Sequence, residues 1–161
     1  MRRFSVSAAL RIALAALSLA ALAACASAPQ ARAAPRDGVV AERAAKNALK
    51  MLGKPYRYGG STPAGFDCSG LVQFSYQQAG VFVPRNTEAQ RRASTAIRLS
   101  QVRRGDLLFF DQEGKKNGHV AIYLGGGEFV HAPSSGGRVR KDRLDSPYWR
   151  KHFSEARRLR A

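Results

Sequence analysis

The chain has little cysteine, little acid and no apolar run long enough to cross a membrane, and each shortage narrows what it can be. Two cysteines in 161 residues, Cys25 and Cys68, leave no room for a disulfide framework or for the short-spaced ligand pairs of a structural zinc site. Only 11 acidic residues oppose 27 Lys and Arg, a formal charge of +16. The apolar stretch from Ile12 to Ala24 falls short of the ~20 residues that span a bilayer. No internal repeat is present.

What stands at the N-terminus reads as an export signal. Arg2, Arg3 and Arg11 precede a short Ala/Leu-rich segment, a basic region followed by a hydrophobic one. It closes on Leu22-Ala23-Ala24-Cys25, which resembles the lipobox of bacterial lipoproteins. That resemblance implies a signal peptide over 1–24 and an acylated Cys25. A plain secretory signal cut near Ala28 is the alternative. Residue 26 is Ala rather than Asp, and in a Gram-negative cell this implies an outer-membrane anchor facing the periplasm. Residues 25–40, rich in Pro, Ala and Ser, read as a flexible tether. Residues 41–161 have the length of one domain.

Apolar residues make up 45% of the chain, enough for a packed core. Without Arg2, Arg3 and Arg11 the charge is still +13. An export signal removes nucleic acid as a partner, and leaves an acidic wall polymer or lipid headgroups for basic clusters such as Arg138–Arg143. A solvated basic face accounts for the same charge equally well.

If Cys25 carries lipid, Cys68 is a lone thiol. In the stretch "GFDCSGLVQF" Asp67 is placed to cap a helix that Cys68 opens, and Gly80 to end it. An earlier helix is expected over 40–52, where Val40, Ala44, Ala45, Ala48, Leu49 and Leu52 recur at helical spacing. A short third helix is expected after Pro84, capped by Asn86 or Thr87. Beyond Gly105 the period becomes that of strands, over 106–110, 119–124 and 128–132, with Gly125-Gly126-Gly127 joining the last two. Helices first and an antiparallel sheet afterwards give an α+β domain. The last third is expected to add a closing strand or two and to pack Tyr148, Trp149 and Phe153 on the sheet.

Two of the three histidines fall at one end of that hairpin. If Leu124 pairs with Glu128 across the glycines, His131 faces Ala121 and His119 lies diagonal to it on the same face. A two-residue turn would shift the register by one and part the pair. A thiol at a helix N-terminus beside an imidazole is expected to have a lowered pKa and to rest as a thiolate. Cys68 as nucleophile, His119 as base and His131 as the group orienting it form a generalised triad. A zinc site on the same three residues is the chemical alternative. His152 reads as a surface residue.

"YRYGG", "GFDCSGLV", "RRGDLLFF" and "GHVAIYLGGGEFVHA" together resemble the NlpC family of papain-like cell-wall cysteine peptidases, over about residues 41 to 150. The resemblance implies a papain-like NlpC fold, roles for Cys68, His119 and His131 as above, and oxyanion or substrate contacts from Tyr56, Asp67 and Ser69. It implies hydrolysis of a bond in peptidoglycan stem peptides with no cofactor and no metal. The D-alanyl to diaminopimelate cross-link is the expected bond, with the γ-D-glutamyl to diaminopimelate bond as alternative. A wall-binding lipoprotein with an idle cleft is the reading from another class. Neither the basic surface nor a regulatory protease or adaptor is specified by these motifs.

Overall fold

The computed structural model describes residues 36–160 apart from Glu113 and Gly136. The expected signal peptide and Cys25 lie outside the described residues. The first helix, α1 (Arg36–Leu49), starts inside the stretch read as tether and stops three residues short of Leu52. Residues 36–40 therefore belong to the helix. Ala44, Ala45 and Ala48 are fully buried, whereas Leu52 is exposed: the face is built on small residues, which let α1 lie close to its neighbour.

Next come two short paired strands, β1 (Ser61–Thr62) and β2 (Gly65–Phe66), in what the sequence presents as a glycine-rich loop. Helix α2 (Cys68–Gln77) follows. Gly80 has φ +93°, Val81 N–H donates to Tyr76 C=O and Gly80 N–H to Gln77 C=O, the paired bonds that close a helix on a left-handed glycine. Helix α3 (Thr87–Arg92) is capped by Asn86, which accepts from Ala89 N–H.

Six strands make the main sheet: β3 (Ser94–Ile97), β4 (Leu107–Gln112), β5 (Lys115–Gly125), β6 (Glu128–His131), β7 (Arg140–Arg143) and β8 (Phe153–Leu159). A short helix, α4 (Pro147–His152), precedes β8. Their order across the sheet is β3-β8-β4-β5-β6-β7, with every pairing antiparallel. Alternation along β4 and β5 sorts two cores. Leu107, Phe109, Val120 and Ile122 pack with α1 and α2. Leu108, Phe110 and Ala121 pack with Phe129 and Trp149 on the other face. Burying each large side chain of this kind contributes about 1.5–3 kcal/mol, which makes the strand register expensive to slip.

The glycine hairpin reaches the expected register by a different route. Gly125 pairs with Glu128, so the turn holds two residues, Gly126 and Gly127. A bulge between Tyr123 and Gly125 then absorbs Leu124, and Tyr123 pairs with Phe129 and Ile122 with Val130. All three glycines have positive φ, which a two-residue turn of this hand and the bulge beside it require. The extra residue in the bulge cancels the shift that the short turn introduces, so both histidines stay on one face.

Candidate active site

Cys68 is the first residue of α2, and the chain turns into a helix there because Asp67 is extended (φ −91°, ψ 175°) and its Oδ1 accepts from Gly70 N–H at 2.7 Å. Position 70 has to be glycine, since a Cβ would run into the Gly60 carbonyl oxygen. The nucleophile helix is thus pressed on the Tyr56–Gly60 loop. Asp67 does more than cap. Its Oδ2 accepts from Gly59 N–H (3.0 Å) and from Arg85 Nη2 (2.6 Å), while Oδ1 takes Arg85 Nη1 (2.9 Å) and Ser69 Oγ (3.2 Å). Ser69 Oγ in turn accepts from Arg85 Nη1.

Asp67 and Ser69 do line the cleft, but their polar atoms are committed to this network. Arg85, which the sequence reading passed over, is the cation that lines the cleft at this end. Its guanidinium is held above its usual pKa, first by the hydrogen bond to Asp67. Gln90, fully buried, donates to the Ser69 and Pro84 carbonyls and fixes α2 from behind.

The cleft has a volume of about 610 Å³ and is lined by Tyr56, Cys68 and His119 among others. Cys68 is half-buried. Its sulfur lies 3.8 Å from Thr87 Oγ1 and against the backbone N–H of Val120, the residue after His119. Burial pushes the thiol above its ordinary 9.0. The Asp67 carboxylate adds to this, and the Val120 N–H, the Thr87 hydroxyl and Ser69 oppose it without prevailing. The expected resting thiolate is therefore corrected: desolvation outweighs the helix terminus, and the resting group is a neutral thiol.

His119 and His131 meet as the strand register requires, Nε2 to Nδ1 at 2.8 Å. Beyond them stands a fourth group that the sequence reading missed. Asp142 Oδ2 accepts from His131 Nε2 at 3.0 Å, from Arg140 Nε at 3.1 Å and from Trp149 Nε1 at 3.0 Å. These partners assign the tautomers. His131 carries its proton on Nε2 for Asp142, so its Nδ1 accepts from His119 Nε2–H. The His119 lone pair is then on Nδ1, the nitrogen left for the cleft.

Burial, then His131 and the Arg140 cation, push His119 down to about 3, against the pull of Asp142. Burial also lowers His131, opposed by its bond to Asp142. Burial alone would raise the Asp142 carboxyl, but the His131 bond and Arg140 outweigh it and hold it at about 2. At neutral pH the chain is thiol, imidazole, imidazole, carboxylate. Trp149 stacks on His119 with centroids 5.7 Å apart and meets His131 edge-on at 4.9 Å, which fixes both rings. A zinc ion bound by Cys68, His119 and His131 would have to displace one of the two hydrogen bonds that His131 makes. His152 is apart from this cluster, its Nδ1 bonded to Tyr148 C=O.

A sequence model described as the NlpC/P60 family matches residues 53–158. The chain is 43% identical over 108 residues to murein DD-endopeptidase MepS/murein LD-carboxypeptidase of Escherichia coli (strain K12), covering 66% of this chain and 56% of that protein. It is 43% identical over 122 residues to the bifunctional muramidase/DL-endopeptidase CwlT of Bacillus subtilis (strain 168), covering 74% and 36%. Among solved structures, an NLP/P60 family protein from Staphylococcus aureus subsp. aureus Mu50, described as similar to lipoprotein, matches with a TM-score of 0.68 at 38% identity, over 76% of this chain and 42% of that one. The chain thus spans between about a third and a little over half of the length of these relatives.

Proposed function

The chain belongs to the NlpC/P60 family, and from that premise we propose that it is a cysteine endopeptidase acting on peptidoglycan stem peptides. One observation carries the reading: Cys68 shares a cleft with His119, whose basic nitrogen is left for the cleft by a relay ending on a carboxylate.

The resting pair is neutral, so the proton leaves sulfur as the bond to carbon forms. Cys68 Sγ attacks the substrate carbonyl while His119 Nδ1 takes the thiol proton. The imidazolium is supported through His131 by Asp142, and the oxyanion by N–H groups of the first turn of α2 with Tyr56 at the same cleft. Collapse of the adduct expels the amine, which takes its proton from His119, and leaves a thioester. Water then gives a proton to His119 and its oxygen to the carbonyl carbon, releasing the acid and the thiol.

The D-alanyl to diaminopimelate cross-link is the bond we favour, with γ-D-glutamyl to diaminopimelate as the alternative. The relatives include a protein named DD-endopeptidase and one named DL-endopeptidase at equal identity, so product chemistry decides. Incubation of the purified full chain with isolated sacculi is expected to convert cross-linked dimers into monomers with intact tetrapeptides, read by mass. Disaccharide dipeptides would instead assign the γ-D-glutamyl bond. Binding to sacculi with no release would overturn the enzyme.

The lipobox-like Leu22-Ala23-Ala24-Cys25 supports a lipid anchor at Cys25 and, with Ala26, the outer membrane facing the periplasm. Labelled palmitate is expected in the mature protein and absent from Cys25→Ser. Incorporation that survives the substitution would remove the anchor.

A further inference from the structure

The cleft does not stop at His119. A second hollow of about 450 Å³ continues it, and the two share Gln112, Lys115 and Lys116 on the β4–β5 hairpin. The shape of this hairpin is specified. Its pairing slips between Phe110 and Gln112, and Asn117 adopts φ +54° with its N–H donating to Asp111 Oδ1 at 2.8 Å. At Gly118 a Cβ would lie 2.8 Å from the Gln112 carbonyl oxygen. A left-handed non-glycine residue beside a reactive cleft is a local cost that something else must offset.

The charges along this extension are uneven. At the other end of the cleft Arg85 is bound to Asp67, and Glu88 is bound to Arg91 and Arg92. Lys115 and Lys116 are exposed, and neither ammonium is paired with a carboxylate among the described residues. Among the described residues Asp111 is the acid that lines the second hollow, and its Oδ1 accepts from the Asn117 N–H. Beside the lysines the Tyr148 ring, 48% exposed, lies stacked on His152 at 4.2 Å, and its hydroxyl accepts from Gln112 Nε2. A flat apolar surface next to two ammonium groups that no described carboxylate pairs suits an aliphatic chain that ends in a carboxylate.

We propose that Lys115 and Lys116, with the Tyr148 ring as floor, form a subsite for a substrate carboxylate on the leaving-amine side of the scissile bond. This rests on the peptidase reading above. The lysines open strand β5, which carries the proton donor to the amine, His119, three and four residues further on. A strand advances about 3.3 Å per residue, so the lysines stand roughly 10–13 Å from that imidazole along β5. An extended peptide covers that distance in three or four residues, and a lysine side chain reaches back over part of it, so the recognised acid lies on the residue that supplies the amine or within a few residues of it. A diamino acid with a free carboxyl, or the C-terminal carboxylate of the stem that supplies the amine, presents this chemistry.

The test uses the full chain carrying Cys68→Ala, so that binding is read without turnover, and the same chain with Lys115→Gln and Lys116→Gln added. The probes are a cross-linked muropeptide as free acid, the same peptide amidated at the diamino acid only, and the peptide amidated at the C-terminus only. The free acid is expected to bind about five-fold more tightly than one of the amides, the upper range for an exposed ion pair. The amide that loses the affinity identifies the carboxylate. This preference is expected to vanish in the lysine variant and to shrink as salt is raised. A preference that survives lysine replacement, or equal binding of acid and amides, overturns the subsite. Turnover of the same peptide by the unsubstituted chain is followed separately: preferential binding without cleavage would retain the subsite and remove the peptidase, and no binding of any form would overturn both.

Discussion

Replacing Cys68 with alanine is expected to lower muropeptide release by about four orders of magnitude or more in kcat/KM, while binding of the cross-linked peptide stays within two-fold. Every covalent step in the proposed cycle runs through one sulfur, which lies against the Val120 N–H. Cys68→Ser is expected to be nearly as poor. A hydroxyl is far harder to ionise than a thiol, and the buried imidazole that would take its proton is itself held at about 3. Separation of soluble muropeptides after digestion of sacculi measures both variants. Release by Cys68→Ala at more than a hundredth of the parent rate would end the assignment of Cys68 as nucleophile.

Asp142→Asn is expected to cost about a thousand-fold in kcat/KM with little change in thermal midpoint. The carboxylate touches no reacting atom and acts by position. Its charge stabilises the imidazolium through His131, and its acceptor oxygen dictates which nitrogen of each ring carries hydrogen. An amide that turned its NH2 towards His131 would reverse both tautomers and leave the proton of His119 on the nitrogen that should receive one. In that orientation the NH2 would also face Arg140 and Trp149, which donate to the same Oδ2 as His131; in the other orientation one oxygen serves all three donors, the fold and the tautomers hold, and the loss is that of the carboxylate's charge. Imidazole nitrogen shifts report the tautomers directly.

The pH profile supplies a second reading. With His119 held at about 3, the imidazole remains a free base as pH falls below 6.5, and the acid limb of kcat/KM in the parent is expected near that lower value. A variant at residue 142 with unchanged kcat/KM and unchanged nitrogen shifts would reduce Asp142 to a packing residue.

Local signals in the chain are strong where the chemistry is local. The Asp67 cap, the start of α2 at Cys68 and the closing Gly80 follow from backbone rules that act over three or four residues, and the structure has them where the sequence implies. The α+β order of elements is legible for the same reason. Strand β7 is not. Arg140–Arg143 reads as a basic surface cluster, because its apolar content is nil and no apolar alternation marks it as a strand. Pairing His131 with Arg140 and Phe129 with Asp142 puts the one acid of that cluster on the face of the histidines.

That pairing depends on a partner strand whose residues lie nine to fifteen positions away. The hairpin turn was legible in outcome but not in mechanism, since a bulge at Leu124 leaves no mark in composition. The thiol's protonation went the other way from the local rule. A helix terminus is visible in sequence, whereas the desolvation that outweighs it is a property of the assembled cleft.

The neutral resting state of Cys68 also bears on how long the protein lasts. Peroxides and disulfides react with thiolates, and the first oxidation product is the start of an irreversible ladder. A nucleophile kept as thiol and ionised only as a carbonyl arrives presents almost no thiolate to passing oxidants. The same burial that makes proton transfer uphill in the empty cleft therefore lowers the fraction of thiolate open to such oxidants.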